Sequence, residues 1–115
     1  MGRLSRKSDV FSYGVMLLEV FTGKRPTDPM FVGELDIRRW IHQAIPTNVM
    51  YVVDEQLQQD LAGSLNDFLI PVLEIGLLCS DDLPDRRMAM CDVVVKLKKI
   101  REAYMVSITR TQGAR

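Results

Sequence analysis

The 115-residue chain has one histidine, His42, one tryptophan, Trp40, and two cysteines, Cys79 and Cys91. His42 and two cysteines give a zinc centre too few ligands, at the wrong spacings. Two cysteines build no disulfide framework. They suit a reducing compartment, with each expected to be a small buried hydrophobe. Net charge is absent as well: 15 Lys and Arg balance 15 Asp and Glu. No global field therefore gathers nucleic acid or membrane, and a nucleic-acid interface would also need a basic patch with stacking aromatics. The run "RLSRKS", Arg3 to Ser8, reads as a solvated leader. No unbroken apolar run reaches the length of a membrane span, and no secretory signal is present. Met1-Gly2 opens a myristoylation-like pattern, but Arg6 stands where that pattern wants Ser or Thr.

Catalytic chemistry is equally scarce. The seven glycines are scattered, so no glycine-rich phosphate cradle forms. Asp54-Glu55 and Asp81-Asp82 are adjacent acids that fit a loop or a helix start better than a catalytic dyad. No catalytic residue, cofactor-binding residue or metal ligand is assigned.

What is present is helical. The length suits one domain, able to bury roughly 65% of the surface of its unfolded form. "SDVFSYGVMLLEVFTGKRP", Ser8 to Pro26, predicts a helix capped by Ser8 or Asp9 and ended by Gly23. It is apolar on every side, which in water requires protein all round it. Gly14 in its middle costs about 1 kcal/mol against Ala, and a close approach of another backbone would explain it. A second helix, "ELDIRRWIHQA", turns Ile37, Trp40, Ile41 and Ala44 inward and Arg38, Arg39, His42 and Gln43 outward. Pro46 stops it. "NVMYVVDEQL" is expected to be an extended connection. Leu65 to Leu78 is helical, with Pro71 marking a kink or a nearby helix start. The last helix runs from Ala89 to about Tyr104, with Val93, Val94, Leu97, Ile100 and Tyr104 inward and "KLKKIR" solvated. From Met105 a frayed tail is expected, in which Ser107, Thr109 and Thr111 are weak phosphorylation candidates.

Two stretches carry a resemblance. Asp9, Val10, Phe11, Ser12, Tyr13, Gly14 and Val15 match in order the central helix that follows the A-P-E motif in protein kinases. Cys79, Pro84, Arg87, Met88, Met90, Val93 and Val94 keep the order and spacing of that family's last helical region. Between them, "TGKRPTDPMFVGELDIRRWIHQAIP" and "VVDEQL" resemble plant receptor-like kinases with leucine-rich-repeat ectodomains. The likeness covers about residues 5 to 104.

It implies an all-α fold of about four helices, part of a kinase large lobe truncated before the catalytic loop. Residues 1–7 would be a remnant after the activation segment, 8–104 the partial lobe and 105–115 a flexible tail. The glycine-rich loop, the strand lysine and its glutamate, the H-R-D loop and the D-F-G aspartate do not occur in this sequence. By resemblance, Asp9 holds the catalytic-loop backbone, Gly14 permits close packing, and Arg87 pairs with the A-P-E glutamate. The Trp40 helix helps form a surface for protein substrates or regulators. ATP and Mg²⁺ are implied for the complete domain only, and this chain alone is expected to be inactive. Its implied partners are the rest of the domain and protein substrates or regulators, with no nucleic acid and no direct membrane insertion. The implied place is the cytoplasmic side of the plasma membrane within a receptor, or the cytoplasm if the chain is expressed alone. The rival reading is a non-catalytic module that binds partners of full-length kinases; an unrelated helical adaptor fits the two motifs poorly. With the partners of Asp9 and Arg87 absent, a lone buried charge is expected to leave the isolated chain poorly packed.

Overall fold

The computed structural model describes residues 6–113, with side chains as far as Thr109. The leader up to Ser5, the last two residues and the side chain of Thr111 lie outside the described residues. Five α-helices form among these residues: α1 Lys7–Thr22, α2 Ile37–Ala44, α3 Glu55–Leu61, α4 Ile70–Cys79 and α5 Met90–Gly113. No strand occurs among the described residues.

α1 follows an extended Arg6 whose side chain caps nothing, so Ser8 and Asp9 sit inside the first turn instead of capping it. Gly23 ends the helix in the left-handed region (φ 71°), and its N–H donates to the Glu19 carbonyl at 2.8 Å. Val10, Gly14, Leu17 and Leu18 turn one face into the protein. Met16 and Val20 remain 42% and 53% exposed on another. The expectation of burial all round is therefore met on one side only within this chain.

α2 is capped by Asp36, which accepts from the Arg39 amide at 2.8 Å. It ends at Ala44, before the cis Ile45–Pro46 peptide. The segment expected to be extended is not. Val49–Tyr51 forms a 3₁₀ turn, and Asp54 then caps α3 by accepting from the Gln56 amide at 3.0 Å. Gln58 Nε2 donates to the carbonyls of Met50 and Val53 at 3.1 Å each, folding the turn onto the helix that follows.

A 3₁₀ turn (Ala62–Ser64) and a π turn (Leu65–Leu69) join α3 to α4, and Pro71 falls in the first turn of α4. Glu55–Cys79 is thus one continuous helical stretch, which gives four helical segments among the described residues, as expected. By length and composition alone that stretch is able to cross a membrane, which a search for unbroken apolar runs missed. Here Leu61, Leu69, Leu73 and Leu77 are buried in the protein core.

The core lies on both flanks of the α1–α4 contact. Leu18, Ile37, Ile41, Val49, Leu69 and Leu73 anchor one cluster. Val10, Leu17, Val72, Ile75, Cys79 and Val93 form the other. Leu18 and Leu73 are wholly buried, and each such side chain contributes about 1.5–3 kcal/mol. α5 packs inward through Val93, Leu97 and Ile100, and Tyr104 stacks on Phe68 at 5.0 Å. Val94, expected inward, is 44% exposed. The helix continues past Tyr104 to Gly113.

Candidate functional site

Gly14 sits where α1 and α4 come closest. A Cβ there would meet Cys79 Cβ at 2.7 Å, the Gly76 carbonyl oxygen at 2.8 Å and the Ser80 amide at 2.8 Å. Only a residue without a Cβ lets the two backbones approach so far.

Below that contact, Arg87 joins the loop before α5 to the start of α1. Its Nε donates to the Asp81 carbonyl at 2.7 Å, Nη1 to the Lys7 carbonyl at 3.1 Å and Nη2 to the Asp82 carbonyl at 3.4 Å. The guanidinium carbon lies 4.7 Å from the centre of the Phe11 ring, and Lys7 Nζ returns a bond to the Arg87 carbonyl at 2.9 Å. Arg87 is only half-buried, and no buried side-chain polar atom among the described residues lacks a partner. The uncompensated buried charge expected from the sequence therefore does not arise. Carbonyl oxygens and an aromatic face stand in for the carboxylate.

Asp9, one turn from Arg6, is exposed, and its carboxylate takes no hydrogen bond among the described residues. The amide dipoles at the start of α1 favour a negative charge there.

Trp40 is half-buried against Phe31, with ring centres 5.6 Å apart, and it borders a polar groove of about 520 Å³ shared with Lys24, Tyr51 and Gln58. On the other side of α2 the structure corrects the sequence reading of Arg38. Its Nε donates to Ser80 Oγ at 3.1 Å and its Nη2 to the Leu77 carbonyl at 2.9 Å. Arg38 thereby bonds the Leu77 carbonyl near the negative end of α4. Ser80 is fully buried and donates to the Gly76 carbonyl at 2.7 Å. Cys91 is a further correction: it is exposed, whereas Cys79 is buried, and that burial raises the Cys79 thiol pKa.

No three His, Cys, Asp or Glu side chains among the described residues group to hold a metal. Gly23 closes a helix, and Gly33, the other glycine with positive φ among the described residues, is followed in sequence by Glu34 and Asp36.

The profile described as "Protein tyrosine and serine/threonine kinase" matches residues 1–97. The chain belongs to the protein kinase family. A probable leucine-rich-repeat receptor-like serine/threonine-protein kinase of Arabidopsis thaliana is 36% identical over 106 residues, 90% of this chain and 10% of its own length. A brassinosteroid receptor kinase of Oryza sativa subsp. japonica is 35% identical over 99 residues, 86% of this chain and 8% of its own. A probable inactive receptor kinase of Arabidopsis thaliana is 33% identical over 104 residues, 88% of this chain and 16% of its own. The chain thus spans between 8% and 16% of the length of these kinase relatives.

Proposed function

We propose that this chain is the C-terminal part of the large lobe of a receptor-like serine/threonine kinase domain, and that it works as a scaffold. ATP-dependent phosphoryl transfer to protein, with Mg²⁺, belongs to the complete domain on the cytoplasmic side of the plasma membrane. The remainder of that domain is the first partner of this chain. Protein substrates or regulators, met through the Trp40 helix, are the second.

The observation that carries this reading is Asp9. A carboxylate that takes no hydrogen bond among the described residues stands at the start of the helix that Gly14 locks to α4. Such a group is placed to accept backbone N–H donors from a neighbouring loop, fixing that loop without touching substrate. Asp9 is therefore a positioning residue. Arg87 fixes the same end of α1 from the other side, through its bond to the Lys7 carbonyl.

The test is Asp9→Asn in the complete domain. The expected result is a fall in kcat of at least tenfold with no more than the small loss of stability that removing a charge from a helix start brings, because among the described residues the carboxylate takes no hydrogen bond. Unchanged kcat would remove the scaffold role.

A second reading, a non-catalytic module that binds partners of full kinases, is favoured by one feature, the polar groove beside the half-exposed Trp40. Tight binding of a kinase partner by this chain, abolished by Trp40→Ala, would support it.

A further inference from the structure

α2 is held against α4 in two ways. Ile37 and Ile41 share a core cluster with Leu69, Leu73 and Leu77, an attraction that grows with buried area and carries no direction. Direction comes from Arg38. Its Nε and Nη2 leave the guanidinium in a fixed fork and reach two acceptors at the end of α4, Ser80 Oγ at 3.1 Å and the Leu77 carbonyl at 2.9 Å. The Ser80 oxygen is itself pinned. Its hydroxyl donates to the Gly76 carbonyl at 2.7 Å, and the Ser80 amide donates to the same carbonyl at 3.1 Å. That carbonyl lies at the contact which only the bare Gly14 allows. Ser80 is wholly buried, so neither water nor a neighbouring segment can take over its bonds. Trp40 stands on another side of the same eight-residue helix, half-buried and 5.6 Å from the Phe31 ring. A tilt of α2 about its apolar contact would carry Trp40 away from that ring.

We propose that Ser80 is a positioning residue for protein recognition. Its hydroxyl receives Arg38, fixes the orientation of α2 and so presents Trp40, without touching any partner itself. The proposal rests on the reading that the Trp40 helix meets protein substrates or regulators. A serine that only stabilised the fold would leave Trp40 in place when replaced.

Trp40 is the one tryptophan in the sequence, so its fluorescence in the full chain reports α2 alone. The variants are Ser80→Ala, Arg38→Ala, both together, and Val93→Ala as a control that opens a cavity in the other core cluster. Far-ultraviolet circular dichroism sets conditions under which each is fully folded. Ser80→Ala raises the quenching of Trp40 by acrylamide, and Val93→Ala does not. The double variant is quenched no more than Arg38→Ala, because Ser80 acts on α2 through Arg38. In the complete domain, Ser80→Ala raises KM for myelin basic protein about fivefold, with kcat and the KM for a short serine peptide unchanged. Trp40→Ala raises the same KM. Unchanged quenching in Ser80→Ala, equal quenching in Val93→Ala or an additive double variant would overturn the proposal. So would a KM raised by Trp40→Ala and not by Ser80→Ala, which leaves the Trp40 reading standing. An unchanged KM in Trp40→Ala would remove that reading, and the proposal with it.

Discussion

Gly14 and Gly76 face each other across the α1–α4 contact. A Cβ on Gly14 would lie 2.8 Å from the Gly76 carbonyl oxygen, and a Cβ on Gly76 would lie 3.4 Å from that of Gly14. The two positions are not equivalent. The hardest neighbours of Gly14 are backbone and a Cβ, whereas Gly76 meets Leu18 Cδ2 at 2.7 Å, the far end of a side chain able to turn.

Gly14→Ala should therefore destabilise the chain by about 1–3 kcal/mol, because the strain of overpacking exceeds the helix propensity gained. Gly76→Ala should cost visibly less. Urea unfolding followed by circular dichroism checks the order, and equal midpoints would remove the close-approach account.

Arg38 bonds Ser80 Oγ and the Leu77 carbonyl from a half-buried position. Arg38→Ala is expected to cost about 1–2 kcal/mol. Arg38→Lys should recover only part of it, since an ammonium lacks the planar fork that reaches both acceptors. Thermal unfolding of the two variants measures the difference.

Arg87→Ala removes three bonds to carbonyls and the cover over Phe11. Hydrogen exchange should quicken in the loop at 80–89 and in the first turn of α1, and remain unchanged in α2. Uniform protection across all three would contradict the role given to Arg87.

The cysteines divide cleanly. Cys91 should react with a thiol reagent in the folded chain, and Cys79 only on unfolding, as mass spectrometry of labelled protein would report. Burial raises the Cys79 pKa above its ordinary 9.0, so the folded state holds that proton more tightly than the unfolded state. Its contribution to stability is full below pH 9 and falls as pH rises through and above that value. Cys79→Ala should flatten that part of the profile.

Much of this was legible in residue order. A glycine in mid-helix, Gly14, announced a close approach, and Pro71 announced a kink or a nearby helix start, of which the start of α4 is what forms. Both residues act through their own backbone geometry, which sequence reports directly. Arg38 was not legible, because its acceptors lie about forty residues away at the end of another helix. α3 was missed because a capping Asp54 after a β-branched run resembles a loop, and the deciding bonds of Gln58 run back to Met50 and Val53. Arg87 was singled out by resemblance, yet its carbonyl partners come from chain folding that no motif records. Neither Cys91 nor Val94 carries a sign of which helix face it occupies, and α5 has apolar residues on both.

The proposed reading makes this chain part of a kinase domain that handles ATP through other residues. The most direct measurement is the native size of the protein, using an antibody to the segment "SITRTQGAR" followed by intact mass. The account predicts a species much larger than 13.1 kDa that incorporates labelled phosphate from ATP. A sole species of 13.1 kDa would contradict it and leave a binding module in its place.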